Sequence, residues 1–400
     1  MNESQYEGPR RIRLEEAHSG GELFEICFGE NLTDAIAEAQ PTRRGGWYVI
    51  VHHGKVVSQL GLSHSEVVVY GSRLRIGSVG GVSTHSDYRG QGLAGRLLAH
   101  GAAQLAQEGA RLMLISGERG LYTRTGNTPA MRFNTFSLKV PLSAPIICPR
   151  VAIRPLQASD LSGCARLYQA EPVHFVRRVE DFQDALGHQR GWGVMQGGEL
   201  RAYFLWRTPW EFMDAPERGV REVTEYAGSR LALAEGLRQV LAGEASQPSP
   251  LRELRLAIPW QDFDLFRLLE SVHQAAGAGT LPDHTMRLIN FPALRQDLAN
   301  YIAARLPISL RRGLRFEQSG PLLVDPWLGE AGEGRMAITW QGGRQSAERF
   351  ELSSAEMTRL VMGSSEQAGD GAPPPAKGAL GEVVSALFPL PSFLVGINYC

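Results

Sequence analysis

The sequence has little of what marks secreted, metal-binding or membrane proteins. Its 400 residues include four cysteines, Cys27, Cys148, Cys164 and Cys400, none in a CxxC pair or a Cys/His cluster at metal-ligand spacing. Neither a disulfide framework nor a bound metal is expected. The ten histidines are equally scattered, and the adjacent His52-His53 precedes Gly54 and reads as a solvated turn. No apolar run approaches the roughly 18 residues of a membrane span. Met1 to Arg13 is polar and charged, without the apolar centre of a secretory signal or the acid-poor character of a transit peptide. A cytoplasmic location is therefore expected. An excess of one charge is also missing, because 41 Lys and Arg against 42 Asp and Glu leave a formal net charge of −1. That balance argues against nucleic acid or an anionic membrane as a partner.

Hydrophobic residues make up 43% and charged residues 21% of the chain, ordinary proportions for a globular protein. The length exceeds what one core usually organises, so two to three domains of about 100–200 residues each are expected. A faint internal repeat gives their order. Arg11 to Leu14 opens a strand that feeds a helical stretch, and Ile153 to Leu156, followed by Ala158 to Leu161, does the same. Trp47 to Val51, a His-His-Gly-Lys turn and Val56 to Leu62 read as a hairpin of alternating strands. Gly193 to Met195, the turn Gln196-Gly197-Gly198-Glu199 and Leu200 to Trp206 repeat it. The strand Ile76 to Thr84 and helix Leu93 to Glu108 correspond to the strand Arg221 to Tyr226 and helix Arg230 to Ala242. Apolar strands, Leu112 to Ile115 and Leu254 to Ile258, follow each helix. The same order twice implies two copies of one α/β fold.

After Pro282 the texture changes. His284 to Asn290 and the helical Pro292 to Arg305 lead into short alternating segments, Leu314 to Gln318, Pro321 to Pro326 and Arg335 to Gln341, as in a third, α+β domain. Ser364 to Gly378, with three consecutive prolines, reads as a flexible loop. The last stretch, Phe388 to Cys400, is too apolar for a free end and is expected to be docked.

The chemistry starts at Asp87-Tyr88-Arg89-Gly90-Gln91-Gly92-Leu93-Ala94. Gly90 and Gly92 allow tight backbone conformations in which successive N–H groups converge on one anion. The helix beginning near Leu93 adds its own unpaired N–H groups and the positive end of its dipole. Leu93, Leu97, Gly101 and Leu105 share one helical face, which packs the helix on a sheet and aims its N-terminus. The result is a diphosphate cradle. A Rossmann reading fails, because a third glycine at the required spacing and an acidic residue about twenty positions on are both missing. The second copy, Tyr226 to Ala232, has a single glycine in its turn, so one active site per chain is expected.

The loop carries Arg-x-x-Gly-x-Ala and so resembles the GNAT superfamily of acetyl-CoA-dependent transferases. Beyond it, Ser116 to Asn127 holds Tyr122, read from the residues alone as either a buried packing aromatic or a proton donor. The arrangement Glu118-x-Gly120-x-Tyr122-x-Arg124-x-Gly126 is similar to a segment of the Eis ("enhanced intracellular survival") acetyltransferases, and Met286 to Leu294 looks like the entry to their last domain. The likeness extends over almost the whole chain.

That resemblance implies an α/β (α+β) architecture of tandem GNAT folds with a C-terminal domain like sterol carrier proteins. The expected divisions are 1–145, binding acetyl-CoA; 146–283, a degenerate GNAT fold; and 284–400. It implies that Val82, Ser83 and Thr84 pair their backbone with the pantetheine arm. Arg89, Gly90, Gln91, Gly92, Leu93, Ala94 and Gly95 would bind the pyrophosphate, with Gly117 and Glu118 beside it. Tyr122 would be the general acid, and the terminal carboxylate, here that of Cys400, the general base. The acceptor would be a small-molecule amine such as an aminoglycoside or polyamine, or a lysine. A homo-oligomer, trimer or hexamer, is likewise implied. Thr125 and Asn127 depart from the family's Phe and Tyr, and Gly90 from its commoner Arg. A non-catalytic acyl-CoA-binding or lipid-binding protein is the alternative.

Overall fold

His53 and Gly54 both have positive φ, 48° and 74°, the left-handed pair of a type I′ turn whose twist matches the strands it joins. Tyr70-Gly71, at 45° and 82°, and Gly197-Gly198, at 62° and 85°, have the same sign pattern. These turns set three hairpins in the computed structural model of the protein, which describes residues 6–39, 45–117, 119–140, 148, 150–188, 190–207, 219–244, 251–271, 275–279, 284–320, 334–342, 347–364 and 377–396.

The first series is β1 (Glu7–Arg11), α1 (Ala17–Phe28), α2 (Thr33–Glu38), β2 (Gly46–His52), β3 (Lys55–Val69), β4 (Ser72–Thr84), α3 (Leu93–Gln107), β5 (Leu112–Ser116), α4 (Gly120–Arg124) and β6 (Phe133–Lys139). The second is β7 (Val151–Pro155), α5 (Leu161–Gln169), β8 (Val173–Phe175), α6 (Val179–His188), β9 (Arg190–Gln196), β10 (Glu199–Arg207), β11 (Val220–Gly228), α7 (Arg230–Glu244), β12 (Glu253–Pro259), α8 (Phe263–Glu270) and β13 (Ala275–Gly279). The rest is β14 (His284–Leu288), α9 (Phe291–Asp297), α10 (Ala299–Arg305), α11 (Ile308–Arg311), β15 (Arg315–Ser319), β16 (Arg335–Trp340), β17 (Glu348–Ser353), α12 (Ser354–Met362) and α13 (Gly378–Leu387).

The strands make three sheets, ordered β1-β2-β3-β4-β5-β14 with β8 on β3, β13-β6-β12-β11-β10-β9-β7, and β15-β16-β17. Only β4/β5 and β11/β12 pair in parallel among the described residues. The two large sheets trade strands. β6 pairs with β12, from Phe133↔Pro259 to Lys139↔Glu253, and β14 pairs with β5, from His284↔Ser116 to Leu288↔Leu112. Division at 145/146 and 283/284 therefore does not coincide with the separation of the sheets, since β6 precedes the first position and β14 follows the second.

β3 and β4 run further than the apolar pattern indicates. Ser63 to Glu66 interrupt that pattern, yet they stay in register opposite Ser78 to Arg75, and β8 pairs with Val67–Val69 beyond them. Leu314 to Gln318 and Arg335 to Gln341 form the antiparallel pair β15/β16. Pro321 to Pro326 and most of Ser364 to Gly378 lie outside the described residues.

α3 lies on the first sheet through Leu93, Leu97, Gly101 and Leu105, and α7 lies on the second through Leu233, Leu237 and Leu241. The fit under α3 is close, because a Cβ on Gly77 would stand 2.5 Å from Leu105. Leu112, Leu114, Phe175, Tyr203, Met286, Phe291 and Phe393 share a further core that joins both sheets to the C-terminal part. Leu97 has no exposed surface, so Leu97→Ala is expected to cost about 2–5 kcal/mol. The check is a lower urea midpoint at unchanged slope.

Candidate active site

β4 and β5 are neighbours only from Ile76↔Leu112 to Val79↔Ile115. On its other edge β4 remains paired with β3 as far as Thr84, with a register shift: Gly61 faces Gly80, whereas Gln59 faces Ser83. β4 thus carries one extra residue there, a bulge that bends a strand and ends pairing on one side. Gly81 takes φ of 60°, and a Cβ on it would stand 2.7 Å from the Trp47 ring. Past the bulge, β4 no longer pairs with β5, and its backbone groups on that edge can serve an incoming ligand. The gap is a cleft of about 480 Å³ lined by Cys27, Phe28, Val82, Ser83, Thr84, Arg89, Ala94, Arg119, Leu121 and Tyr122.

At one side of this cleft is the loop before α3. Gly90 and Gly92 have φ of 75° and 76°, values a side chain disfavours. Gly92 is the N-cap of α3, and no side chain caps the first turn, so the N–H groups of the first helical residues face outward. Arg89 ties the loop to the strand by donating from Nε to the Thr84 carbonyl at 3.2 Å. Tyr6 donates its hydroxyl hydrogen to Gln91 Oε1 at 2.6 Å. A Cβ on Gly90 would meet nothing within 4 Å, so the loop's outer side is open.

Tyr122 lies in α4, with 4% of its surface exposed. Its carbonyl accepts from Asn127 N at 3.0 Å, Asn127 Nδ2 at 3.2 Å and Thr125 Oγ1 at 2.9 Å. The two residues that depart from the Eis pattern thus fasten the turn that carries this tyrosine. None of the hydrogen bonds among the described residues uses the Tyr122 hydroxyl. Burial raises its pKa above the usual 10, with the Arg119 charge pulling the other way. Ser83 adds a buried hydroxyl with no partner among the described residues. An open strand edge, an uncapped helix and an orphaned hydroxyl in one cleft fit an extended co-substrate with an amide-bearing arm and a diphosphate.

Val82, Ser83, Thr84, Arg89, Ala94 and Tyr122 therefore converge on one cleft, while Gly90, Gln91, Gly92, Leu93 and Gly95 form its loop and helix start. Gly117 follows β5 at φ of 104°, and a Cβ on it would stand 3.5 Å from Tyr122 Cε2. Glu118 and Cys400 lie outside the described residues. Cys27, Phe28, Arg119 and Leu121 also line the cleft, and no motif in the sequence marks them. Phe28 packs on Phe24, with ring centroids 4.5 Å apart. Among the described residues no cluster of three or more His, Cys, Asp or Glu could hold a metal, and no helix is long and apolar enough to cross a membrane.

The second sheet repeats this geometry without the loop. β11 and β12 pair in parallel from Val220↔Glu253 to Val223↔Leu256, and β11 shifts register between Val223 and Glu225. Only Ser229 separates β11 from α7, whereas residues 85–92 separate β4 from α3. No backbone is left there to form a cradle.

The splayed parallel pair, the bulged strand and the glycine loop at a helix start all lie within residues 9–130, which match the acetyltransferase (GNAT) domain family, so this part of the chain is a GNAT acetyltransferase domain, a fold that takes an acyl-CoA as co-substrate. The whole fold is similar to that of solved proteins of comparable length. One is the GCN5-related N-acetyltransferase from Kribbella flavida, 15% identical over 97% of both chains with a TM-score of 0.64. Others are a probable N-acyltransferase from Enterococcus faecalis V583, 13% identical over 90% of this chain and 96% of that one at 0.58, and Eis1 from Mycobacterium abscessus, 15% identical over 95% and 96% at 0.55. No curated protein matches the sequence.

Proposed function

We propose that the protein transfers acetyl from acetyl-CoA to a primary amine, on a small molecule such as an aminoglycoside or polyamine or on a lysine, by direct attack in a ternary complex. The observation that carries this reading is the common lining of one cleft by Val82, Ser83, Thr84, Arg89, Ala94 and Tyr122. Acetyl-CoA supplies the acetyl group already activated as a thioester. The free edge of Val82 to Thr84 holds the pantetheine arm, and Arg89 to Gly95 hold the pyrophosphate on outward N–H groups. The resemblance to the Eis family assigns Gly117 and Glu118 to the same co-substrate. A C–N bond forms and the C–S bond breaks. Tyr122 gives its hydroxyl proton to the departing sulfur, and the amine's proton passes to the Cys400 carboxylate, directly or through water.

The resemblance to the Eis family supports that last assignment. So does the burial of the tail, with Leu390, Phe393 and Val395 at most 5% exposed. In this reading residues 1–145 are the catalytic GNAT unit, 146–283 a second unit without the loop, and 284–400 a sterol-carrier-like domain that supplies the carboxylate. The two GNAT units share strands through β6 and β14. A cytoplasmic homo-oligomer, trimer or hexamer, completes the proposal.

A panel of amines, with release of free CoA and the mass of the acetylated product followed together, tests the reaction. At least one polycationic amine is expected to turn over. Tight CoA binding with no turnover for any amine would support the binding-protein alternative instead. The pH profile gives a separate expectation. Because burial raises the Tyr122 pKa above 10, the hydroxyl keeps its proton through neutrality, and kcat should hold until the pH exceeds 10. A decline assigned to this tyrosine below pH 9 would contradict its role as acid.

A further inference from the structure

Around β11 and β12 lies a second cavity, of about 660 Å³. Its walls correspond to those of the first cleft. Tyr168, near the end of α5, stands where α1 brings Cys27 and Phe28. Tyr226 and Gly228 stand where β4 brings Val82 to Thr84, and Gln261 follows β12 as Arg119 follows β5. At the start of α7, where the first unit has its open glycine loop, the second unit has an internal carboxylate. The Glu171 carboxylate accepts from Gly228 N at 2.9 Å and from Arg230 at 2.8 and 2.6 Å. Part of the wall is the C-terminal tail, Ser392 to Leu394.

The tail is held there by backbone-directed contacts. Gln261 Nε2 donates to the Ser392 carbonyl at 2.7 Å, and Gln261 Oε1 accepts from Ser392 N at 3.1 Å. One side-chain amide thus satisfies both backbone groups of Ser392, as an adjacent strand would. Trp260 Nε1 donates to the Leu390 carbonyl at 3.3 Å. Phe393 meets Phe175 edge-on at 5.4 Å between centroids. Arg177, in an ion pair with Glu225 at 2.7 Å, donates to the Val395 carbonyl at 3.5 Å. Gly396 follows at φ of 57°, and a Cβ on it would stand 2.3 Å from Glu225 Oε2.

We infer that the co-substrate cleft of the second unit has become the seat of the C-terminal tail, and that Gln261 is a positioning residue which sets, through Ser392, where the terminal carboxylate acts. This rests on the reading of that carboxylate as the base. Four residues follow Gly396 and can span at most about 14 Å, so a shift at the anchor is passed to the chain end. A misplacement of about 1 Å can cost on the order of 100-fold in rate.

The test compares steady-state kinetics of the full chain, Gln261→Ala, a chain ending at Gly396, and Gln261→Ala in that shortened chain. Gln261→Ala is expected to lower kcat by about 10- to 100-fold with KM for acetyl-CoA unchanged, and to add nothing in the shortened chain, where the carboxylate is already displaced. Gly396→Ala pushes the tail from Glu225 without touching Gln261 and should reproduce the loss. It also carries the test if Gln261→Ala does not fold. Full kcat in Gln261→Ala and Gly396→Ala, or a Gln261→Ala loss that multiplies in the shortened chain, overturns the positioning role while leaving the base assignment standing. Full kcat in the shortened chain overturns the base assignment itself, and with it the inference.

Discussion

Tyr122→Phe is expected to lower kcat on the order of 100-fold or more, with KM for acetyl-CoA changed by no more than a few-fold. The substitution removes one hydroxyl and keeps the ring that fills the space between Gly117 and the cleft. Because the Thr125 and Asn127 bonds go to the tyrosine's carbonyl, α4 should keep its shape, and a loss of rate would report the proton rather than the fold. The side chain is buried and lines the cleft, burial raises its pKa, and its hydroxyl is not engaged elsewhere among the described residues. Those are the properties of a group kept protonated for transfer to a basic leaving group. Steady-state kinetics with thermal melting as a control decides it. A variant with full kcat would leave Tyr122 as a packing residue.

Displacement of the terminal carboxylate is expected to have an effect of similar size. A chain extended by two glycines beyond Cys400 moves the carboxylate by about 7 Å and should lose on the order of 100-fold in kcat. Cys400→Ser keeps the carboxylate and changes only the thiol, and should retain most of the activity. The opposite pattern, activity lost in Cys400→Ser and kept in the extended chain, would assign the function to sulfur. The other cysteines give no reason to expect that. Burial pushes the Cys164 thiol up to about 12, and Cys27, although it lines the cleft, makes only a 4.0 Å contact to the Thr84 carbonyl.

Local features of this protein could be read from sequence, and the pairings between distant segments could not. The left-handed turns are marked by His53-Gly54 and Gly197-Gly198, and the α3 face by Leu93, Leu97, Gly101 and Leu105, because both follow from neighbouring residues. The loop from Arg89 to Ala94 is of the same kind. The exchange of β6 and β14 is not, since Phe133 to Lys139 carries no sign of pairing with residues 253–259 rather than with its own half. The far ends of β3 and β4 were hidden by Ser63, His64, Ser65 and Glu66, whose backbone pairs although their side chains break the apolar alternation. Cys27 and Phe28 reach the cleft only because α1 ends against β4. Gln261 belongs to no motif, and its use is visible only once Ser392 lies beside it.

The central claim is that one acyl-CoA binds per chain, at the loop before α3. Calorimetric titration of CoA into the full chain tests it most directly, with Gly92→Val as the partner experiment. That substitution forces a β-branched residue to φ near 76° at a cost of roughly 1–3 kcal/mol. The account predicts a stoichiometry of one CoA per chain and affinity weakened by about 10-fold or more in Gly92→Val. Two CoA per chain, or an affinity indifferent to Gly92→Val, would contradict it.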